Sequence, residues 1–579
     1  MNFNILGRVS RLAAIGAILL GSASCITINE ELGESLIPTD QKWDVYTPAP
    51  VNLQNIRLQM ADSLSAYSTS RFTFGSVNDA VLGTSTKSTS FTLVPVFDSL
   101  DLGMNPQVRQ FHLTAVRDTL STVYDNNLKM IQNIFVHELK KPLDSTVLYI
   151  GSLSDPAKLD EFVDMSKTIT AGIPVYSGGD SLSFDFSTDF AKHVLDQIDA
   201  AQKAAKMDSV DNYVKYLPGI YITTDAPAGP GGRINMFNLG LETTSGYITG
   251  NYAELKITST YEGRQVDTSF TFMFGPGEFI EIDEDGNIQY PTQFAFNTSR
   301  HDSARKYEGQ GVQAERDILI EGGSGVKPVI KAEGIRHILD SLVEAAGILD
   351  PSEVVINKAT IILPYDVNGD YALLDKYPPV LSPTVRLRSS EGGYISYAGL
   401  TDSSISTENQ GNINRSTNMY CPDISHHVQE ILKLDQSAAD YESKIENYDI
   451  WFLIMHEEVT STNEDSNYND YYNNLLYNSY YNNMYYDPYG YGYGGYGGYG
   501  GYGYGGYGYG GYGGYGYGSN YYNYAMMAYY ASMGSSSSDE EVSTELDKDR
   551  YYYAVLNGPQ SNGAKPQLKV TFSAPKSAE

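Results

Sequence analysis

The chain has 579 residues, 41% of them hydrophobic, which is too much sequence for one ordinary core and enough for two or three. A formal charge of −31 leaves no positive footprint for nucleic acid, and an anionic membrane surface would repel the body of such a protein. With Cys25 and Cys421 as the only cysteines, neither a disulfide framework nor a cysteine-based metal cluster can form.

At the N-terminus, Arg8 and Arg11 precede the small and apolar run Leu12 to Ala23, followed by Ser24 and Cys25. A basic start, about a dozen apolar residues and small residues before a cleavage point describe a secretory signal peptide, too short to span a bilayer as a helix. Cysteine after Ser22-Ala23-Ser24 resembles a bacterial lipobox, with Ser22 where leucine usually stands. The expectation is a signal over 1–24, removed to leave Cys25 acylated as the mature N-terminus. Two acyl chains hold a protein stably on a bilayer where one does not. Removing Arg8 and Arg11, with no acidic residue among the first 24, takes the formal charge from −31 to −33. Residues 25–50 are polar and punctuated by proline, a tether that lets the body stand off the membrane.

From about Val51 to Thr223, short β-type runs dominate. They are Arg71 to Phe74, Ser90 to Phe97, Gln110 to Val116, Ile131 to His137, Val147 to Ile150 and Ile220 to Thr223. Several alternate apolar and polar residues, as half-buried strands do. Gly75 to Asp79 and Gly151 to Asp155 read as two similar turns after strands. One helix interrupts the set: after Ser187, residues Phe190, Val194, Leu195 and Ile198 fall at helical spacing. His193 lies beside that face as an ordinary helix residue.

Strands resume at Ile234 to Leu239, Tyr252 to Tyr261 and Ser269 to Phe274, and Asp283 to Asn287 reads as a tight turn. A second helix covers Ala332 to Ala346 and stops near Gly347. Val354 to Pro364 is a buried strand and Ile424 to Leu434 a short helix. Ile450 to His456, Tyr551 to Leu556 and Leu568 to Phe572 complete the strands. Residues 489–518 are Gly and Tyr alone, inside an Asn/Tyr-rich stretch of 466–538. Such a repeat offers no face to bury, so the expectation is a disordered insert between strands of one sheet. Closing even a long loop adds only about 0.6 kcal/mol per doubling of its length.

Motifs that would carry catalysis are missing: there is no zinc-protease helix motif, phosphate loop or nucleophile elbow. His426, His427 and Glu430 are the nearest approach to a metal set, but His427 shares the apolar face of Ile424 and Ile431 and reads as a core residue. Asp366 to Asp370 resembles the start of a calcium loop, yet Tyr371 and Tyr377 stand where glycine and glutamate are required, so a β-turn is the better reading. No catalytic residue, cofactor or metal site is therefore assigned; the one site residue is the lipid-bearing Cys25.

Five short motifs lie in order along the mature chain: Leu32 to Pro38, Gly75-x-x-x-Asp79-x-x-x-Gly83, Leu217 to Ile222, Ile356 to Ala359 and Pro566 to Val570. In this order they resemble the DUF4270 lipoproteins of the Bacteroidota, a family without an assigned function, and no site residue carries over from it. The resemblance implies an outer-membrane address. Asn29-Glu30-Glu31 lies close behind Cys25, like the acidic export signals of such lipoproteins, and favours the cell surface over the periplasmic face. Asp-Ser/Thr-aliphatic triplets at Asp62, Asp98, Asp118, Asp180 and Asp208 resemble O-glycan acceptor sites of exported proteins from that group.

The expected fold is mainly β, with two β-sandwich or jelly-roll-like halves over 51–290 and 291–579 and a few packed helices. The expected function is a non-enzymatic scaffold or binding subunit of an envelope complex, held to the lipid bilayer through Cys25 and working beside other envelope proteins. Two alternatives stand beside it. One is a surface glycan-binding protein using tyrosines of the insert as stacking platforms. The other is an accessory to outer-membrane protein assembly.

Overall fold

The computed structural model describes residues 43–118, 130–143, 147–244, 247–282, 288–367, 369–388, 394–405, 410–461 and 540–576. Cys25, the tether up to residue 42, the Asp283 to Asn287 turn and the 466–538 insert lie outside the described residues. The described chain is mainly β, built from antiparallel sheets with a few helices packed against them.

The first core lies between two sheets. One is five-stranded, with Ser181–Asp185, Met104–Val116, Tyr252–Tyr261, Arg264–Phe274 and Leu93–Pro95 in that lateral order. Its inner face is made by alternate residues, Phe111, Leu113 and Ala115 on one strand and Ala253, Leu255 and Ile257 on the next. The other sheet is eight-stranded and contributes Phe72, Phe74, Ile134, Val136, Ile220, Ile222 and Phe237 to the same core. Phenylalanine rings fill much of the gap: Phe72 lies 5.3 Å from Phe237, and Phe111 lies 5.3 Å from Phe272. Helix Thr188–Lys203 closes this core with Phe190, Val194, Leu195 and Ile198. Its start is set by Ser187, whose hydroxyl accepts from the Phe190 N–H at 3.2 Å.

The second core uses the remaining strands. Gln567–Pro575 lies between Trp43–Tyr46 and Val355–Pro364 in one sheet. A seven-stranded sheet runs through Ile56–Met60, Val326–Ile330, Ile450–Ser461 and Val380–Arg388. Helices Ala332–Ala345 and Ser425–Lys433 bury Ile335, Leu339, Val428 and Ile431 in the same core. The first of these helices has lysine at its cap position; the missing acceptor is Asp449, which takes the Ala332 N–H at 2.9 Å and pairs with Lys331.

The two cores do not divide at one point along the chain. Strand Ile56–Met60 precedes every strand of the first core, yet pairs with Val326–Ile330 and packs in the second. Ala295–His301, beyond residue 290, pairs with Gly83–Phe91 in the first. The first core is thus inserted between the opening strands of the second and the rest of it.

Two local expectations change. Val147 to Ile150 forms no strand; a single bridge joins Tyr149 to Ser65. Gly75 lies inside the strand Arg71–Asp79 rather than in a turn, with φ of +150°, and a Cβ there would stand 2.2 Å from the Arg233 carbonyl oxygen. Glycine is required at that place by the close approach of the neighbouring strand. The second motif does turn: the Ser154 N–H reaches the Gly151 carbonyl at 3.0 Å, and Asp155 caps helix Pro156–Phe162.

Candidate functional site

Among the described residues, a collection of ionisable side chains is buried where the two cores meet. Strand Ala295–His301 brings Asn297, Ser299 and His301 from the first unit; Asp317–Glu321 and Val326–Ile330 bring Glu321 and Lys327 from the second. All five are buried. His301 Nδ1 lies 2.8 Å from Glu321 Oε1, and its Nε2 lies 3.1 Å from Ser299 Oγ and 3.2 Å from Ser324 Oγ. Burial pushes the Glu321 carboxyl up, but the His301 ring, the Ser303 hydroxyl at 2.8 Å and Lys327 outweigh it and hold the group below its ordinary range. An ionised carboxylate only accepts, so His301 carries a proton on Nδ1.

Three carbonyls receive the Lys327 amine, those of Glu321, Gly323 and Gly325. Burial pushes that amine down to about 7, against the pull of Glu321. Lys87, on the first unit, donates to the Lys548 carbonyl and is lowered for the same reason. Asp549 accepts from Asn297 at 3.2 Å, and Asp547 accepts from the Tyr552 hydroxyl at 2.7 Å. A serine, histidine and carboxylate in this order have the connectivity of an acyl-transfer triad. Here His301 and Glu321 have side chains only 3% and 2% exposed, so no substrate reaches them; the cluster fastens the units together.

A second constellation of the same connectivity lies on the open face of the five-stranded sheet. Ser183 and Asp185 are two residues apart on an edge strand and flank His112 on the next. Ser183 Oγ is 2.9 Å from His112 Nε2, and Asp185 Oδ1 is 2.8 Å from His112 Nδ1 and accepts from Gln110 Nε2 at 2.8 Å. Burial pushes the Asp185 carboxyl up, but the hydrogen bonds from His112 and Gln110 together outweigh it and leave the group below its ordinary range. Around it stand Glu254 and Lys256, paired at 3.0 Å, on a solvated polar face. What this ladder does in the structure is link two strands, Ser181–Asp185 and Met104–Val116, by their side chains.

The residues singled out in the sequence are dispersed. His427 is buried, its Nε2 2.8 Å from the Tyr448 carbonyl, and burial pushes it down to about 4; it is the core histidine expected. Asp402 accepts the N–H groups of His426 and His427 at 2.6 and 3.0 Å, and burial leaves its carboxyl above the ordinary range. Glu430 lies 3.2 Å from Lys433. His193, half-exposed, lies 3.0 Å from Glu138. Asp370 caps the short helix Tyr371–Lys376 through the Ala372 N–H, at the end of the expected turn. Cys421 is partly buried, which raises its thiol. Of the Asp-Ser/Thr triplets, Ser63 is buried and accepts from Arg386 at 2.8 Å, whereas Ser99 and Ser181 are exposed. A cavity between Leu93, Glu138, Phe190 and Gly219 holds about 10 Å³, space for one water.

Sequence reasoning missed the sealed cluster. Its signal is present in hindsight of the strands: Lys87, Glu321 and Lys327 are charges placed within short β runs, where a buried charge needs a partner. Comparison with known proteins finds no match to this chain among family models, curated sequences or solved structures.

Proposed function

We propose that this chain is a non-enzymatic scaffold or binding subunit of the outer envelope, held to a bilayer through acylated Cys25. The observation that carries the reading is how its buried charges are used. Glu321, Lys87 and Asp549 lie where two sandwich-like units meet and tie them into one body, through His301, the Lys548 carbonyl and Asn297, instead of lining an accessible site. A body stiffened in this way presents faces to partners. The signal-like N-terminus and the ordered DUF4270-like motifs support the envelope address.

The test is isolation of the full-length protein from its native membranes in a gentle detergent. A stoichiometric protein partner is the expected result, and a strictly monomeric particle would overturn the reading. Protease shaving of intact cells then decides the face. Cleavage between Ser461 and Glu540 on unbroken cells places the body outside, whereas protection until the outer membrane is opened places it in the periplasm.

A further inference from the structure

Strand Trp43–Tyr46 is the first described element and forms an edge of the sheet that continues through Gln567–Pro575 and Val355–Pro364. Its pleat sends Tyr46 inward, where the ring stacks on Phe572 at 5.2 Å. Trp43 and Val45 therefore point outward, 49% and 64% exposed. The register places Val45, Ser573 and Val355 in one lateral row, and Trp43 beside Pro575 in the next row on the same face. Val355 is 48% exposed. Lys358, Lys569 and Lys576 lie on or beside this face, Lys358 in an ion pair with Asp423 at 3.7 Å. On a chain this acidic, an indole and two valines with lysines around them form a local exception.

We propose that this Trp43 face docks on the headgroup layer of a phospholipid bilayer. The inference rests on the acylated Cys25 of the proposed function and names the surface that meets the membrane. Seventeen residues, 26–42, separate Cys25 from Trp43, so even fully extended they reach about 60 Å. The tether thus joins the body at Trp43, and a bilayer holding Cys25 lies within reach of this face. Tryptophan suits the boundary between water and hydrocarbon, because its ring is apolar and its N–H is polar. The lysines supply contacts to lipid phosphates that the rest of the surface would refuse.

The test uses full-length protein purified with its native N-terminus and reconstituted into vesicles of phosphatidylethanolamine and phosphatidylglycerol. Flotation reads the anchor, and quenching of tryptophan emission by brominated acyl chains reads the docking. The second tryptophan, Trp451, is buried, so quenching isolates Trp43, and Trp43→Phe supplies the control. The expected result is flotation with a blue shift and loss of emission that disappear in Trp43→Phe. Flotation with Trp43 unquenched would overturn the docking and leave the anchor standing. A protein that fails to float would overturn both. Concentration-dependent shielding of Trp43 from iodide without vesicles would place a second copy on the face and likewise overturn the proposal.

Discussion

Lys327 and His427 are bases kept from water, and each makes stability depend on pH in a definite direction. The Lys327 amine is pushed down to about 7, against 10.5 for a free lysine. Between those values the unfolded chain binds a proton that the folded chain lacks, so stability rises with pH; the unfavourable contribution is complete below 7 and fades towards 10.5. His427, down at about 4 from 6.5, acts over the acid window. Its neutral ring is undisturbed above 6.5, and stability falls as pH drops to 4, by about 3 kcal/mol. Replacing it by Gln should flatten the acid limb of stability against pH between 6.5 and 4, as urea unfolding across that range would read. Glu321→Ala should lower stability by about 3–5 kcal/mol, because the His301 N–H would stay buried without its acceptor and the Lys327 amine without its counter-charge. A shift in urea midpoint no larger than that of a surface change would contradict this.

Among the elements, one close strand contact is testable through its glycines. A Cβ on Gly232 would meet the Ser76 carbonyl oxygen at 2.1 Å, and one on Gly75 the Arg233 carbonyl oxygen at 2.2 Å. Gly232→Ala should therefore force the paired strands apart and reduce soluble yield or melting temperature sharply. Gly347→Ala, with φ of +74° but open space around it, should carry only the milder strain of its conformation. The Ser183, His112 and Asp185 ladder lies on an open solvated face, so release of nitrophenol from nitrophenyl acetate should be the same for Ser183→Ala and the unaltered protein. The alternation of Ala253 to Ile257 was legible residue by residue, as was helix Thr188–Lys203 with its Ser187 cap. Gly75 misled because glycine marks turns in sequence, while here it serves a close backbone approach that only pairing with a distant strand creates. The cluster around Glu321 was illegible for a related reason. Its members come from positions 87, 301, 327 and 549, and no local pattern records that they meet.

For the molecule as a whole, the insertion of one core within the other was beyond the reach of periodicity, which reads strands but not their partners. The ends of the long insert are another matter. Ser461 stands opposite Glu540 in an antiparallel ladder, so the two strands can be joined by a two-residue turn. Replacing 462–539 by Asn-Gly should leave the melting temperature within a few degrees of the full chain. A collapse of the fold would show that the segment contributes to the body.

The pairing of Trp43–Tyr46 with the last strand also sets a clock on folding. Trp43 meets Pro575, about 530 residues later, so at about 5–20 residues per second the opening strand waits roughly half a minute or more for its partner to be synthesised. The inserted core, complete by His301, has no such wait for its own strands. A messenger cut short near its end thus yields a chain that is damaged at both termini at once, with a finished domain carried between two unfinished halves of another.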